Sequence, residues 1–541
     1  MMRPERGAVA LVLIVCWLLS SAWLPGSVAR PAPGASPDLL IPMQVAKLVA
    51  SDSVAQDKFG WSAALSQNVI VVGMPKLITG TSTLPAAYVF ARNPDGSNQW
   101  GDQHKLRDPL NAPDDRFGCS AAVSGDTAVI GASRATVFGK QQAGAAYVFK
   151  QDGFGNWGPP ATLSAANGDT QDFFGTAVSL DGNTIVAGAP WADVNHRQDG
   201  GAAYVFDRDD LGNWTEAATI TATNVFTQDF FGTAVSLDGD TLVVGAYGDN
   251  IGDQANSGSA YVFYRDRGGP DVWGLVKKLT VASGQRYDDF GISVSLDGDT
   301  LVVGAHQPGN SQAIPAQLPG PGAAYVFERN TGGADQWGQV AKLTASDGAV
   351  EDWFGYSVSL SGDSIVAGAP YEEVGGNIRQ GAAYVFSRDE GGVDQWGQTT
   401  RLVSNDGVTL DAFGSSVSTT GDTFLVGAPY ANIGSDLNRG AAYVFVHGYS
   451  VSGRVTDGSG NGISGVTIST GAGQSATTDS TGSYTLTGIV AGDYTLTPSK
   501  LWHIFSPPSL PVTVSGADVP GQDFVGVSIP VTETYLPIVE R

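Results

Sequence analysis

The chain has 541 residues, a formal charge of −24 and 72 glycines, with 42% hydrophobic and 15% charged residues. The acidic balance excludes nucleic acid and anionic membrane surfaces as partners, because phosphate binding needs clustered Lys and Arg. High Gly beside many aromatics excludes a disordered chain and points to short strands joined by tight turns.

Residues 1–29 have the form of a secretory signal: Arg3 and Arg6, an apolar run over 8–19, then Ser27-Val28-Ala29 as a small-residue cleavage site. An N-terminal membrane anchor is the alternative, but the run is short for a span. With the signal removed no membrane insertion is expected, and the protein is expected to be secreted or held at the cell surface. Cleavage also removes Cys16 and leaves Cys119 as the single cysteine, so the fold must stand on packing without an internal disulfide. Residues 30–40 read as a linker.

From residue 41 one pattern recurs seven times: an Asp, any residue, then Phe-Gly, with the glycines at Gly60, Gly118, Gly175, Gly232, Gly291, Gly355 and Gly414. A period longer than about 50 residues signals a propeller or array. In the sixth unit residues 356–360, 364–369, 382–386 and 396–402 read as four short strands, the first two joined by the tight turn Ser361-Gly362-Asp363. The third strand reads Ala-Tyr-Val-Phe in every unit, placing a Tyr and a Phe on one face to pack against the neighbouring blade. Gly, Ser and Ala crowd the first two strands, as an axis where seven sheets converge requires. Six of the Tyr-Val-Phe strands are followed by a fourth strand, ending at Leu106, Leu163, Ile220, Leu279, Leu343 and Leu402. The seventh is not, and Val45-Ala46-Lys47-Leu48 supplies the missing one at the start. The expectation is an all-β, seven-bladed β-propeller over 41–447, four strands per blade, zipped shut by its N-terminal strand so that two open edges disappear.

Phe-Gly followed by Gly188-Ala189-Pro190, Gly368-Ala369-Pro370 or Gly427-Ala428-Pro429 resembles the FG-GAP repeat of the integrin α-subunit head. The resemblance implies an extracellular propeller of adhesion type. It also implies acidic calcium loops between first and second strands, and here the chain departs from it. That link is no more than Leu180-Asp181-Gly182-Asn183, Leu237-Asp238-Gly239-Asp240 or Leu296-Asp297-Gly298-Asp299, too short to supply the six or more oxygens calcium takes. No cofactor is expected.

Residues 448–526 turn to Gly, Ser and Thr with alternating Val, Ile, Tyr and Leu, the signature of a small β-sandwich of six or seven strands. Gly453-Arg454-Val455-Thr456-Asp457, Gly482-Ser483-Tyr484 and Gly492-Asp493-Tyr494 resemble carboxypeptidase-regulatory-like (prealbumin-like) domains, which implies a non-catalytic spacer or binding module. Residues 527–541 form a C-terminal extension, read as a docked or disordered terminus with a sorting role as the alternative.

Candidate site residues divide into two sets. Asp57, Asp115, Asp172, Asp229, Asp288, Asp352 and Asp411 occur in every unit and read as turn-formers whose carboxylates accept backbone N–H groups. Five residues earlier stand Asp52, Asn167, Asn224, Ser283, Asp347 or Asp406, and a weak cation site at these pairs is the competing reading. The links from second to third strand vary between units, and variable loops on a rigid scaffold are where binding sits. They carry Trp191, Asp193 and His196; Tyr247, Asp249 and Asp253; Tyr371, Glu372 and Glu373; and Tyr430 with Asn432; the link over 306–321 is the longest. Such groups around one mouth suit a carbohydrate or protein ligand. No metal-binding spacing joins His104, His196, His306, His447 and His503, and no nucleophile elbow stands out. The expected function is therefore an exported, non-enzymatic binding or adhesion module. A glycan-active hydrolase or lyase using acidic mouth residues, and a purely structural surface protein, are the alternatives.

Overall fold

The structure is a computed structural model that describes residues 42–76, 84–93, 99–110, 112–282, 284–306, 320–471, 473–515 and 517–529. The expected signal, the linker, Ser283, most of the 306–321 link and the end of the C-terminal extension lie outside the described residues. Among those described, every regular element is a β-strand, gathered into nine four-stranded sheets.

Seven of these sheets are the repeats. Each is antiparallel with its strands in chain order, and the seventh is completed by the N-terminal strand Pro42–Leu48, which pairs antiparallel with Ala441–His447. In the sixth blade the strands are Ser357–Ser361, Ser364–Ala369, Ala382–Gly392 and Gln395–Leu402. The third runs past the apolar stretch seen in sequence because pairing resumes at Gly392 with Gln395, and Gly392, at φ 122, takes a turn conformation other residues resist. First strands touch first strands all the way round: Ser62–Ser66 packs on Phe117–Ser124 to one side and on Ser416–Thr420 to the other.

The close approach at the axis explains the repeat's two glycines. Gly73 of the first blade lies against Gly118 of the second, where an added Cβ would stand 2.0 Å from the Gly118 carbonyl oxygen. Gly118 itself has φ 94, a left-handed conformation that strains any side chain. The same glycine pair recurs at every seam, ending with Gly427 against Gly60. Serines complete the stitching. The Ser236 hydroxyl accepts the Leu296 N–H at 3.0 Å and Ser295 accepts Leu360 at 2.9 Å. The tight-turn acids do similar work, since Asp181 takes the N–H of Gly239 and Asp238 that of Gly298 in the next blade.

Between blades lies the core. The Phe of each Phe-Gly is fully buried and meets the Tyr and Phe of its blade's third strand edge-on or tilted, Phe231 lying edge-on to Tyr261 at 5.4 Å and to Phe263 at 6.1 Å. Edge-to-face geometry of this kind adds about 0.5–1.5 kcal/mol per pair beyond area burial. Those rings in turn pack on Val186, Ala203 and Val205 of the preceding blade.

After a single residue, Gly448, the strand Tyr449–Thr456 opens the second module. Its two four-stranded sheets enclose Val451, Val455, Ile468, Tyr484, Leu486, Leu496 and Phe524. It has eight strands rather than six or seven, because the short pieces Thr467–Ser469 and Ser475–Thr477 form separate strands, and its last strand runs to Ser528.

Candidate functional site

The links from second to third strand and from one blade's fourth strand to the next blade's first share a face, bound to each other through the backbone. Lys58 and Phe59 donate to the carbonyls of Asn438 and Arg439 at 3.3 and 3.0 Å, and Phe173 to that of Gln142 at 3.1 Å. This face carries all the candidates.

The repeated aspartates are turn-formers. Asp57, Asp172, Asp229, Asp288, Asp352 and Asp411 each accept the N–H of the residue three earlier at 2.5–2.9 Å. Asp115 differs and takes the N–H of Phe117 at 3.0 Å. Burial, then the neighbouring Asp108 charge, pushes its carboxyl up to about 7. The groups five residues before these aspartates meet protein partners. Asp52 binds the Tyr88 hydroxyl and Lys105, Asp406 binds Tyr443 and Lys47, and Asp347 binds Tyr384 and Arg401. The fourth strand thus brings a cation opposite the Tyr of the third, a pairing that blades two and three lack because Thr162 and Thr219 stand there. In blade three a cleft of about 480 Å³ opens beside Thr219, lined by Asn167, Asp172, Trp191, Asp193 and Asp199.

Two of the predicted binding residues are not presented to a ligand. Asp249 is fully buried, ion-paired with Lys278 at 2.5 Å and bound by the Ser259 and Tyr261 hydroxyls. Glu372 is buried too, paired with Arg401 and bound by the Tyr384 hydroxyl, and burial pushes it up to about 7. Both stand one residue nearer the second strand in the loop register than Asp193 and Asn432, at the place Ala192 and Ala431 occupy, and so face the blade interior. Asp193 and Asn432 brace their own loops, accepting the N–H groups of Asp199 and Asn438 at 3.0 and 2.9 Å.

The predicted aromatics do converge, and they bring with them a set of residues the sequence reading passed over. The residue between Asp and Phe-Gly is Lys58, Arg116, Phe173, Phe230, Asp289, Trp353 and Ala412 in turn, and every one has φ between 52 and 64. A left-handed turn costs a non-glycine residue about 1–2 kcal/mol, yet all seven blades keep it. In four blades the second residue of the second-to-third link lies beside it. The N–H groups of Arg134, Gly248, Tyr371 and Tyr430 bind the carbonyls of Asp115, Asp229, Asp352 and Asp411 at 2.9–3.2 Å.

Side chains from these two positions, and from the first link residue where that is Tyr247 or His306, meet across the blades. Phe173 touches Trp191 at 4.9 Å, Trp191 touches Phe230 at 5.6 Å, and Phe230 stacks on Tyr247 at 5.2 Å. In blade five His306 lies 3.8 Å from Asp289 and 5.0 Å from Trp353. Trp353 packs on Tyr371 at 4.0 Å, and Tyr430 lies beneath the Lys58 ammonium at 3.5 Å. Blades one and two fill the same two positions with Lys58, Lys76, Arg116 and Arg134. Burial holds Lys58 down at about 8 and His306 at about 4, while burial and then Asp288 push Asp289 up to about 8. The signal in the sequence was the one free position inside an otherwise fixed tetrapeptide.

A closed ring of strand-only blades with its side-chain variety gathered at one mouth, joined to a small sandwich, defines a binding or structural scaffold. The model of the FG-GAP repeat matches residues 42–90, 100–149, 157–206, 214–263, 273–327, 337–386 and 396–445, and the chain belongs to that family. The model of the carboxypeptidase regulatory-like domain matches residues 450–524. Modules of both kinds are generally non-catalytic. A search of the curated proteins finds no match.

Proposed function

We propose that the protein is an exported, non-enzymatic binding module of adhesion type, which offers the mouth of its propeller to an extracellular protein or carbohydrate and uses the C-terminal sandwich as a spacer. The observation that carries this reading is the aromatic arc Phe173–Trp191–Phe230–Tyr247, built from positions that differ between blades while everything beneath them repeats. Trp191 remains 37% exposed, enough of an indole face for a ligand to lie against. The signal-like residues 1–29 support export, and among the described residues no helix is long and apolar enough to cross a membrane.

Of the carboxylates that suggested the hydrolase alternative, Asp249 and Glu372 lend it no support, since they are held in separate ion pairs of blades four and six. The test is a glycan and matrix-protein binding screen on the full chain beside its Trp191→Ala variant. The expected result is a ligand whose affinity falls at least about tenfold in the variant, the loss of one well-packed aromatic contact. Absence of binding to any glycan or matrix protein would return the molecule to a purely structural role.

A further inference from the structure

Several cations on the strands of this acidic chain are paired: Lys47 with Asp406, Lys105 with Asp52, Lys278 with Asp249 and Arg388 with Glu328. At the mouth of blades one and two they are not. Lys58, Arg116 and Arg134 form no ion pair among the described residues, although the sequence holds 53 acids to 29 Lys and Arg. Lys58 is 4% exposed and its ammonium meets the face of Tyr430. The Nε atoms of Arg116 and Arg134 are buried without a hydrogen-bond partner. Desolvated donors left unmatched are costly, the more so when charged, so their natural complement is an acceptor brought by a ligand. Repeat register places Arg116 beside Arg134, because the equivalent Phe173 and Trp191 of blade three are in contact, and sets Lys58 and Arg116 on either side of the link position that Trp191 fills between Phe173 and Phe230. Arg116 and Arg134 stand close enough that each other's charge adds to burial in lowering the Arg116 guanidinium.

We propose that the mouth binds a carboxylate-bearing carbohydrate, a uronic-acid residue whose acid group is held by Lys58, Arg116 and Arg134 while its ring lies on the neighbouring aromatic arc. The proposal rests on the binding reading above and narrows it to one ligand chemistry. Guanidinium forks match a carboxylate in two parallel hydrogen bonds, and the aromatic faces beside them suit the apolar C–H face of a sugar. Across the mouth, His306 offers a buried ring nitrogen, Nδ1, without a hydrogen-bond partner, ready for a sugar hydroxyl.

The experiment is calorimetric titration of the full chain with an oligogalacturonate, a neutral galacto-oligosaccharide of the same length and a poly-glutamate peptide. The oligogalacturonate is expected to bind at least about tenfold more tightly than the neutral sugar, the scale of one charge-assisted pair, and raising the salt should shrink that preference. Arg116→Gln combined with Arg134→Gln should abolish the preference for the oligogalacturonate over the neutral sugar. The salt dependence of the unaltered protein tests the same point without a variant. Equal affinity for the two sugars, or a preference that survives the double substitution, overturns the proposal and leaves carbohydrate binding standing. Poly-glutamate binding as tight as the oligogalacturonate overturns it in favour of an acidic protein partner. Binding of neither sugar overturns it together with the carbohydrate arm of the proposed function.

Discussion

Phe230 and Phe231 are neighbours in the chain and belong to two different regions of the molecule. Phe231 and its six counterparts form a buried ring, fully shielded from solvent, in which each blade repeats the same ring contacts with Tyr and Phe. Phe230 and its counterparts form the mouth, where the same backbone turn carries a lysine, an arginine, three aromatics, an aspartate and an alanine. The buried ring tolerates one solution because its volume is set by two adjoining sheets packed at close to crystal density. The mouth tolerates six because only the backbone there is shared: the Asp cap and the left-handed turn fix where the side chain starts, and nothing in the frame dictates what it is. Specialisation has one position per blade in which to work without loosening the ring.

The strongest way to break this comparison is to open the ring. Removing residues 42–48 leaves Ala441–His447 with an unpaired edge, and Leu48, buried between blades, is lost with it. The expected outcome is loss of the single cooperative melt together with edge-to-edge aggregation, read by calorimetry and size-exclusion chromatography. If the truncated protein melts as sharply as the whole one, closure by the N-terminal strand is not what holds the blades together. A finer cut uses the adjacent phenylalanines. Phe231→Ala should cost about 3–5 kcal/mol through the cavity it leaves. Phe230→Gly should stay within about 1 kcal/mol of the parent, because relief of a left-handed residue offsets the lost contacts with Trp191 and Tyr247. Chemical denaturation of both variants checks the contrast, and similar losses for the two would merge the regions separated here.

The frame was legible in the sequence because its causes are local and repeated. Gly60 and Gly73, the Asp cap, the alternating Tyr-Val-Phe and the displaced strand at Val45 each recur, or fail to recur, at a countable spacing. The mouth was half legible. Trp191, Tyr247, Tyr371 and Tyr430 stood out as aromatics in variable links, whereas Lys58, Arg116, Phe173 and Trp353 were hidden inside a motif read as pure scaffold. Asp249 and Glu372 misled for a physical reason: an acid one residue out of register turns into the blade, where Lys278 or Arg401 from the fourth strand meets it. That partner lies 29 residues away in both cases, and pairing across a sheet is invisible to a reading of loops.

The smallest expected effect separates the two regions by titration. Asp289 sits at the mouth, facing His306 and next to Asp288; burial, then the Asp288 charge, pushes it up to about 8. Unfolded, it titrates near 4, roughly the ordinary value for Asp. Between those values the folded protein holds a proton that the unfolded chain has released, so stability falls as pH rises from about 4 to about 8 and is level above. Asp115 and Glu372, raised to about 7, act with the same sign. Lys58, lowered to about 8, works in the range above 8 and is neutral in effect below it. His306, lowered to about 4, opposes the trend once the pH drops under its unfolded value of about 6.5. The unopposed window is therefore pH 6.5 to 8, in which the melting temperature should rise as the pH is lowered. Asp289→Asn should flatten that slope, raising the melting temperature more at pH 8 than at pH 6.5, whereas Phe230→Gly at the same mouth should shift the curve without changing its slope. A slope identical in Asp289→Asn and the parent would mean that the aspartate is charged in the folded protein, and the mouth would then hold a fixed negative charge opposite its cations.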